Sequence, residues 1–234
     1  MRRLAEVDST NREALALARA GAREGAVVVA GFQTAGRGRH GRPWDAAPGS
    51  SLLASILLRP GPSLAPARRH LAVAVVALAA SDACSSAAGF LPALKWPNDL
   101  VVGDAKLAGV LAEVEGDALV VGLGLNVSVA GPWPPGAVSA ERVAGRPVDV
   151  DALLDGVLSG VSARYGRWWA VASEYRRRCT TLGRTVRVDL AAESFTGTAA
   201  DVSDDGHLLV DVGMCLRTVT AGDVIHLRPT PEAY

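Results

Sequence analysis

The chain has 234 residues, 49% of them hydrophobic, and its 24 Lys and Arg residues are balanced by 24 Asp and Glu residues. This length suits one medium-sized domain, or one medium and one small domain, with enough apolar residues for a packed core. A formal net charge of zero gives no overall basic excess of the kind that nucleic-acid and acidic-membrane binders usually carry, so any positive site has to be local.

The cysteines and the N-terminus show no sign of a secreted or membrane protein. Cys84, Cys179 and Cys215 form no CxxC pair, so neither a disulfide framework nor a zinc site is expected. Residues 1–8 lack the apolar segment of a signal peptide, and the longest apolar run, 71–80, is too short to span a bilayer. We therefore expect a cytoplasmic protein with reduced thiols and a buried apolar helix.

The N-terminal segment predicts a helix followed by two buried strands. Thr10 and Glu13 match a capping box, with Thr10 at the start of a helix that ends near Ala20. Two apolar runs, 26–32 and 51–58, then predict strands.

The pattern of predicted elements changes after Gly183, from helices and longer strands to short strands. Before it we predict, in chain order, a helix over 66–81, a turn at 97–99, strands over 107–114 and 118–127 joined by a hairpin turn at 115–117, and an amphipathic helix over 150–169. After it we predict short strands over 185–189, 196–202, 208–212 and 224–227, with turns at 204–206 and 221–223. Regularly spaced short strands indicate a small β-barrel appended to the core, with the boundary at 179–182. The predicted domains are 1–180 and 181–234.

The loop over 34–49 contains a glycine pattern that points to the wrong fold. Gly36, Gly38 and Gly41 match GxGxxG, but a dinucleotide fold needs these glycines to open a helix that receives the pyrophosphate. Trp44 and then a predicted strand follow instead, so a Rossmann fold is rejected.

The same loop has the chemistry of an anion site. Arg37, Arg39 and Arg42 offer guanidinium groups that suit phosphates and carboxylates, and Trp44 offers a flat surface for stacking. On its own, the loop fits a solvated basic segment or a nucleic-acid-binding segment about as well.

Three further motifs follow. Lys95-Trp96-Pro97-Asn98-Asp99 has the residues of a structural turn, although a Lys and a Trp ahead of it make a plain turn less favoured. In the strand over 106–113, strict alternation predicts Lys106, Ala108, Val110 and Ala112 on one face and Leu107, Gly109, Leu111 and Glu113 on the other. Glycines inside strands, at Gly109 and in the segment Gly122-Leu123-Gly124-Leu125-Asn126-Val127, indicate close approach of a ligand or backbone.

These motifs, in this order from about Val7 to Asn126, resemble the catalytic core of the biotin–protein ligase family. The loop and the turn at 95–99 are the most specific parts, and the segment from Ala221 to Arg228 is more loosely similar to the family's closing strand. The resemblance implies an α+β fold: a mixed sheet flanked by helices, as in the class II synthetase-like core of lipoate and biotin ligases, with a C-terminal SH3-like β-barrel.

The resemblance also implies the activity. Members of the family join biotin to ATP as biotinyl-5′-adenylate, with Mg²⁺ held mainly by phosphate oxygens, and pass biotin to a lysine of a biotin carboxyl carrier protein or domain of a carboxylase. Because the chain begins almost at this core, the helix-turn-helix domain of bifunctional relatives is not expected. Neither nucleic acid nor a membrane is an expected partner, and a monomer or weak homodimer is expected.

Carried over position by position, the resemblance implies sites for both substrates. The biotin-binding residues would be Ser9, Thr10, Asn11, Gln33, Gly36, Arg37, Gly38, Arg39, Lys106 and Gly109. The ATP-binding residues would be Arg39, Arg42, Trp44, Lys95, Asn98, Asp99, Lys106 and Asn126. The catalytic set would be Lys106, Arg39 and Asp99, and no metal site made of protein side chains is expected.

Lys106 is the predicted catalytic cation, because the attack of a carboxylate on a phosphate brings two anions together. The resemblance suggests that Asp99 orients or deprotonates the acceptor amine in the second step. His40 stands where many relatives have another residue, and no role is assigned to it.

Three other functions fit parts of the pattern. A lipoate–protein ligase shares the fold and the adenylation chemistry, and the arginine-glycine loop favours biotin. A nucleic-acid-binding module would use the loop arginines and bind with strong salt dependence. A catalytically silent carrier-binding protein would be expected to lack Lys106 or Arg39, and both are present.

Overall fold

The structure is a computed structural model that describes residues 1–130 and 133–227. Its α-helices are α1 (Thr10–Arg19), α2 (His70–Ala88), α3 (Ala140–Ala144), α4 (Val150–Arg164) and α5 (Trp168–Arg178). The strands of the first sheet are β1 (Arg2–Leu4), β2 (Val27–Ala30), β3 (Ser51–Leu58), β4 (Ala93–Lys95), β5 (Asp99–Val102), β6 (Ala105–Glu115) and β7 (Ala118–Asn126). Those of the second are β8 (Thr185–Asp189), β9 (Ser194–Val202), β10 (Leu208–Asp211), β11 (Leu216–Val219) and β12 (Asp223–His226).

The first sheet is mixed, as predicted. Its seven strands lie in the order β1-β2-β3-β7-β6-β5-β4. The pair β1–β2 is parallel and the other neighbouring pairs are antiparallel. The second sheet has the order β11-β10-β9-β8-β12 and is antiparallel throughout. The predicted fold class, a mixed sheet with helices and a small C-terminal β unit, is therefore confirmed.

Helix α2 is the buried helix that the apolar run 71–80 predicts, but it is longer than expected. It continues to Ala88 and ends at Gly89, whose φ of +80° closes the helix in the left-handed region. The apolar segment Pro66–Ala88 has the length and hydropathy to cross a membrane, yet most of it is buried inside the protein. In this fold it serves as the core helix, packed against α4, α5 and β6.

Helix 150–169, predicted as one element, is two helices. The chain leaves the first helix at Tyr165, turns at Gly166 with a φ of +82°, and begins α5 at Trp168. A glycine that adopts a left-handed conformation stops a helix at little cost, and this stop signal was present in the sequence. Strands β1, β4, β5 and β11 and the short helix α3 were not predicted either.

The predicted capping box at the start of α1 is wrong. Ser9 is the N-cap but its side chain makes no capping hydrogen bond, and Thr10 is already helical, with its backbone N–H donating to Gln33 Oε1 at 2.7 Å. The Thr10 hydroxyl instead contacts Gln33 and Ser55, and Glu13 pairs with Arg2. Both side chains that the local pattern assigned to the cap instead form contacts with residues that are distant in sequence.

Strand β6 contains an irregularity that reverses one predicted face. Its register with β5 pairs Leu100 with Ala108 but Val101 with Lys106, so Leu107 is the extra residue of a β-bulge. Leu107 and Ala108 are both buried in the core although they are consecutive. Beyond the bulge the predicted alternation is correct, while Lys106 moves to the face that carries Gly109.

One hydrophobic core runs beneath both sheets. The buried side chains of β8, β9, β10 and β12 belong to the same cluster as those of α2, α4 and the first sheet. Trp96 joins the two parts directly, because its Nε1 donates to the Gly206 carbonyl at 3.0 Å and its backbone N–H donates to Thr181 Oγ1 at 3.0 Å. The cysteines are free: Cys84 and Cys179 are buried and Cys215 is exposed.

Candidate active site

A cavity of about 480 Å³ lies where the first sheet, the 34–49 loop and the edge strand β12 meet. Most of the predicted site residues line it: Ser9, Thr10, Asn11, Gln33, Arg37, Gly38, Arg39, Arg42, Trp44, Lys95, Asn98, Asp99, Lys106 and Gly109. The sequence contains two lysines, Lys95 and Lys106, and both line this cavity.

Two predicted site residues lie behind the wall of this cavity. A Cβ at Gly36 would come within 2.5 Å of the Trp44 carbonyl oxygen, so this glycine permits the loop to close on itself. The amide of Asn126 donates to the carbonyls of Lys106 at 3.4 Å and Val138 at 3.1 Å. Asn126 therefore supports the backbone of Lys106, and its direct contact with ATP stays a prediction.

One end of the cavity is polar and rigid. Gln33 Oε1 accepts from the Thr10 backbone N–H at 2.7 Å and from the Thr10 hydroxyl at 3.0 Å. Ser9 and Thr10 are both buried at the start of α1, where helix geometry fixes them. This end can exchange hydrogen bonds with a compact polar head group.

Trp44 lies on a pair of glycines in the floor of the cavity. Gly109 and Gly124 are cross-strand partners, and a Cβ on Gly124 would meet Trp44 Cε2 at 2.5 Å while one on Gly109 would meet Cζ3 at 3.1 Å. The missing side chains leave the space that the indole fills. Its Nε1 is buried and has no hydrogen-bond partner among the described residues, so the ring contributes an apolar surface here.

Lys106 and Asp99 form an ion pair in the cavity wall. Lys106 Nζ lies 2.7 Å from Asp99 Oδ1 and 5.5 Å from the centre of the Trp44 ring. The bulge in β6 brings Lys106 to this face, and the register that pairs Asp99 with Gly109 brings the carboxylate opposite. A cation and a carboxylate thus lie beside the apolar floor.

The turn between β4 and β5 is held to β6 through Asn98. Its Nδ2 donates to the Val110 carbonyl at 2.9 Å, and its own carbonyl accepts from the Val110 N–H at 2.9 Å. Asn98 Oδ1 also accepts a weak bond from Arg39 Nη1 at 3.4 Å. Lys95, the last residue of β4 and the register partner of Asp99, also lines the cavity.

Asp223, at the start of β12, holds the arginine loop to the second sheet. It pairs with Arg42, lies 3.4 Å from His40 Nε2 and lies 3.9 Å from Arg39 Nη1. Arg39 also donates to the Gly222 carbonyl at 2.9 Å. Burial lowers the pKa of the Arg39 guanidinium and the nearby carboxylates raise it, so Arg39 remains a cation at neutral pH.

The sequence analysis missed the contribution of the second sheet. Arg187, Asp189, Asp223, Val224 and Ile225 line the cavity, although they are distant in sequence from the other site residues. Nothing in the spacing of β8 or β12 indicates this contact, because it depends on how the two sheets pack. Leu111, Gly122 and Gly124 were also missed as lining residues, and here the interior glycines of β7 were a usable signal.

These features define what the cavity can bind. A polar end, an apolar floor and a wall of Arg and Lys suit an elongated ligand with a polar head and an anionic tail. Within residues 1–130 and 133–227, no group of three or more His, Cys, Asp or Glu side chains is placed to hold a metal ion.

Two family models match the chain. Residues 4–129 match the biotin/lipoate A/B protein ligase family, and residues 181–227 match the biotin protein ligase C-terminal domain. The two matches coincide with the two sheets.

Individual relatives agree with these models. The chain is 38% identical to the biotin–[acetyl-CoA-carboxylase] ligase of Mycobacterium tuberculosis, over 96% of this chain and 88% of that protein. It is 36% identical to the ligase of the same name from Paracoccus denitrificans, over 88% of this chain and 92% of that one. A solved structure of biotin protein ligase from Aquifex aeolicus in complex with biotin and ATP superposes with a TM-score of 0.82 and 28% identity, covering 97% of each chain.

Proposed function

Because this chain belongs to the biotin/lipoate A/B protein ligase family, we propose that it uses ATP to activate biotin and then attaches biotin to a protein. The acceptor is a biotin-dependent carboxylase, as the names of the relatives imply, and we assign the modified residue to a lysine of its biotin carboxyl carrier domain. The observation that carries the proposal is the position of Lys106, whose ammonium lies in one cavity with the Thr10–Gln33 end and the arginine loop.

In the first step, a carboxylate oxygen of biotin attacks the α-phosphorus of ATP. The bond from that phosphorus to the bridging oxygen breaks, and pyrophosphate leaves with the electron pair. Lys106 offsets the repulsion between the two anions as they approach, and a fixed ammonium in a partly desolvated cavity does so without reorganising. The loop cations Arg39 and Arg42 are placed to bind phosphates once they exchange their bonds with Asp223.

In the second step, the carrier lysine attacks the carbonyl carbon of biotinyl-5′-adenylate. The bond to the phosphate oxygen breaks, AMP leaves, and the attacking nitrogen loses a proton. Asp99 is the nearest carboxylate to Lys106, so we assign it the role of orienting the incoming amine and accepting its proton.

The other assignments follow from position. The biotin end comprises Ser9, Thr10 and Gln33, with Asn11 beside them, and the nucleotide end comprises Lys95, Asn98 and the arginine loop. Trp44 covers the floor between them. Residues 1–180 would form the catalytic domain and 181–234 the C-terminal domain; Arg228 and the rest of 228–234 lie outside the described residues.

Magnesium fits this site as a companion of ATP. Mg²⁺ that arrives with ATP is held largely by phosphate oxygens and needs few protein ligands. When bound, Mg²⁺ would neutralise phosphate charge. The side chains of the cavity keep the tasks of binding, orientation and proton transfer.

The direct test is to incubate the protein with biotin, ATP, Mg²⁺ and a purified carrier domain, and to weigh the carrier by mass spectrometry. One added biotinyl group at the carrier lysine is expected, and none when ATP is omitted or the acceptor lysine is replaced by arginine. A parallel reaction with lipoate tests the sister activity. An unmodified carrier, or preferential transfer of lipoate, would contradict the proposal.

A further inference from the structure

A second cavity, of about 550 Å³, lies beside the first, where the turn between β5 and β6 meets the end of β12. Lys95 and Ile225 line both cavities, so the two are neighbours that share part of their walls. Arg184 and His226 line the second cavity and not the first. Neither of these two residues belongs to the substrate sites of the first cavity.

The second cavity is basic. Lys95 ends β4, Arg184 directly precedes β8 and His226 ends β12, so three separate elements bring these side chains together. Asp104 is the one carboxylate among the described residues that line it, and its Oδ1 lies 3.5 Å from Arg184 Nη1. At neutral pH two full positive charges therefore face one negative charge. Such an excess of positive charge in a recess attracts anions.

His226 shows that the charges of Lys95 and Arg184 act on one place. Burial, and then the positive charges of these two residues, lower the pKa of the His226 imidazole to about 4, while Asp104 acts in the opposite direction. An ordinary imidazole titrates near 6.5, so the ring of His226 is neutral at pH 7. An anion bound between the two cations would offset their charges and raise this pKa.

Arg184 is held in place and still has donors for a ligand. Its Nη2 donates to Thr180 Oγ1 at 3.2 Å, and its Nη1 pairs with Asp104. These contacts use at most two of the five N–H donors of a guanidinium group. Because they fix the group without using up its donors, Arg184 can present two parallel N–H groups to a phosphate.

Lys95 connects the second cavity to the nucleotide end of the first. Within the described residues its ammonium makes no hydrogen bond and no ion pair, so no carboxylate competes with a ligand for it. Its flexible four-carbon stem lets the ammonium serve either cavity while the backbone of β4 stays in place. The proposed first step releases pyrophosphate at this end, beside Lys95.

We infer that the second cavity is a binding site for inorganic pyrophosphate, held by Arg184 and Lys95 after it leaves the first cavity. The inference rests on the proposed function, because pyrophosphate is the product of its first step. It adds a site outside the substrate cavity and gives Arg184, which directly precedes the second sheet, a part in the reaction. No bond is made or broken there, since pyrophosphate moves as an intact anion.

Two histidines serve as reporters in the test, which is a titration of the protein with inorganic pyrophosphate at pH 6, followed by NMR of the imidazole C–H signals. His226 lines the second cavity, and His40 lies 3.4 Å from Asp223 beside the first. We expect the His226 signal to move, with saturation, toward the position of a protonated ring, because the bound anion raises its pKa. A shift of the His40 signal alone would mean that pyrophosphate binds only at the arginine loop, and would overturn the inference.

The Arg184→Gln variant should bind pyrophosphate about fivefold more weakly in the same titration, since it loses a charged hydrogen bond at a half-exposed position. Its KM values for ATP and biotin in adenylate formation should stay within about twofold of wild type. Arg184→Lys keeps the charge and should recover most of the affinity, which separates a lost contact from a damaged fold.

Arg217→Gln is the matched control. Arg217 pairs with Glu193 in the second sheet and lines neither cavity, so its replacement should leave the affinity for pyrophosphate unchanged. Equal affinities in Arg184→Gln and Arg217→Gln would overturn the inference. A fivefold rise in the KM for ATP of Arg184→Gln would also overturn it, because Arg184 would then hold the terminal phosphates of ATP.

The titration needs no catalysis, so a failure of the inference and a failure of the proposed function look different. Wild-type protein that forms biotinyl-5′-adenylate while the His226 signal stays still would overturn the inference alone. A saturable shift of that signal in a protein that forms no adenylate would contradict the proposed function and support a pyrophosphate site.

Discussion

Lys106 and Asp99 form an ion pair in the cavity wall, and this pairing determines how each will respond to substitution of the other. The ammonium lies 2.7 Å from the carboxylate, so removing one partner leaves the other as an uncompensated charge near the reacting atoms. A variant that loses Lys106 therefore keeps an anion where two further anions have to meet.

The Lys106→Ala variant should form biotinyl-5′-adenylate about a hundredfold more slowly or worse, because it loses the stabilising cation and retains the repelling carboxylate. Its folding should be nearly unchanged, since the side chain is partly exposed. Lys106→Arg keeps the charge on a wider, planar group, and its rate of adenylate formation should lie between those of wild type and Lys106→Ala. Single-turnover adenylate formation is the measurement, and a near-wild-type rate in Lys106→Ala would exclude Lys106 as the catalytic cation.

At the scale of single residues, the sequence predicted which residues belong to the site better than it predicted the face on which each side chain lies. Lys106 was predicted as a site residue, but strict alternation put it on the face of Ala108, and the bulge at Leu107 moves it to the opposite face. A bulge is a property of two strands in register, so neither strand alone contains it. Asp223 was not predicted as a site residue, because its role arises from a contact between the two sheets.

Among the elements, the arginine loop has a geometry that depends on the second sheet. Arg39, His40 and Arg42 converge on the one carboxylate of Asp223, which lies in the turn that begins β12. These contacts hold the loop against the second sheet at the edge of the cavity. Substrate phosphates would compete for the same guanidinium groups.

Asp223→Asn should loosen this attachment while keeping the size of the side chain. We expect trypsin to cleave the loop several-fold faster at its arginines, because a loop released from Asp223 spends more time in open conformations. Glu193→Gln is the control, since Glu193 pairs with Arg217 in the same sheet and does not pair with the loop. Equal cleavage rates in the two variants would show that Asp223 does not hold the loop.

Long elements with clear apolar patterns were predictable, and those that depend on partners were not. Strand β3 has the predicted bounds because its apolar run ends at Arg59 and Pro60. Strand β1 has three residues, two of them charged, and strand β11 has four, one of them charged, so both are too short for any periodicity to emerge. The capping box failed because Gln33 and Ser55, distant in sequence, offered Thr10 better partners.

At the scale of the whole molecule, one hydrophobic core joins the first sheet, which lines most of the cavity, to the second sheet, whose Asp223 contacts the arginine loop. The apolar positions in both halves were recognisable, but the sequence does not say that they pack against one another. His70 lies at this junction, with its ring 5.7 Å from that of Trp96 and 6.2 Å from that of Tyr175. Its position makes the stability of the whole fold sensitive to acid.

Burial lowers the pKa of His70 to about 4, from an ordinary value near 6.5. The unfolded chain accepts this proton as the pH falls below 6.5 and the folded protein does not until about 4, so stability is present above 6.5 and is lost across that window. Between pH 7 and pH 5 the loss should be about 2 kcal/mol from this one residue.

Urea denaturation at the two pH values measures this effect. His70→Phe should show a smaller drop in the free energy of unfolding between pH 7 and pH 5 than wild type does. Part of the drop should remain, because burial also lowers the pKa of His226 to about 4. An identical pH dependence in the two proteins would mean that His70 takes up its proton equally in both states.

The placement of the two lysines has a consequence outside the cavity. Biotinyl-5′-adenylate is a mixed anhydride that acylates exposed amines, and a ligase is the first protein that an escaping molecule meets. Here both ε-amines of the chain lie in the cavity, and the other side-chain cations are the 22 arginines, whose guanidinium groups are poor nucleophiles because they stay protonated. Leaked reagent would therefore find no lysine to label outside the cavity.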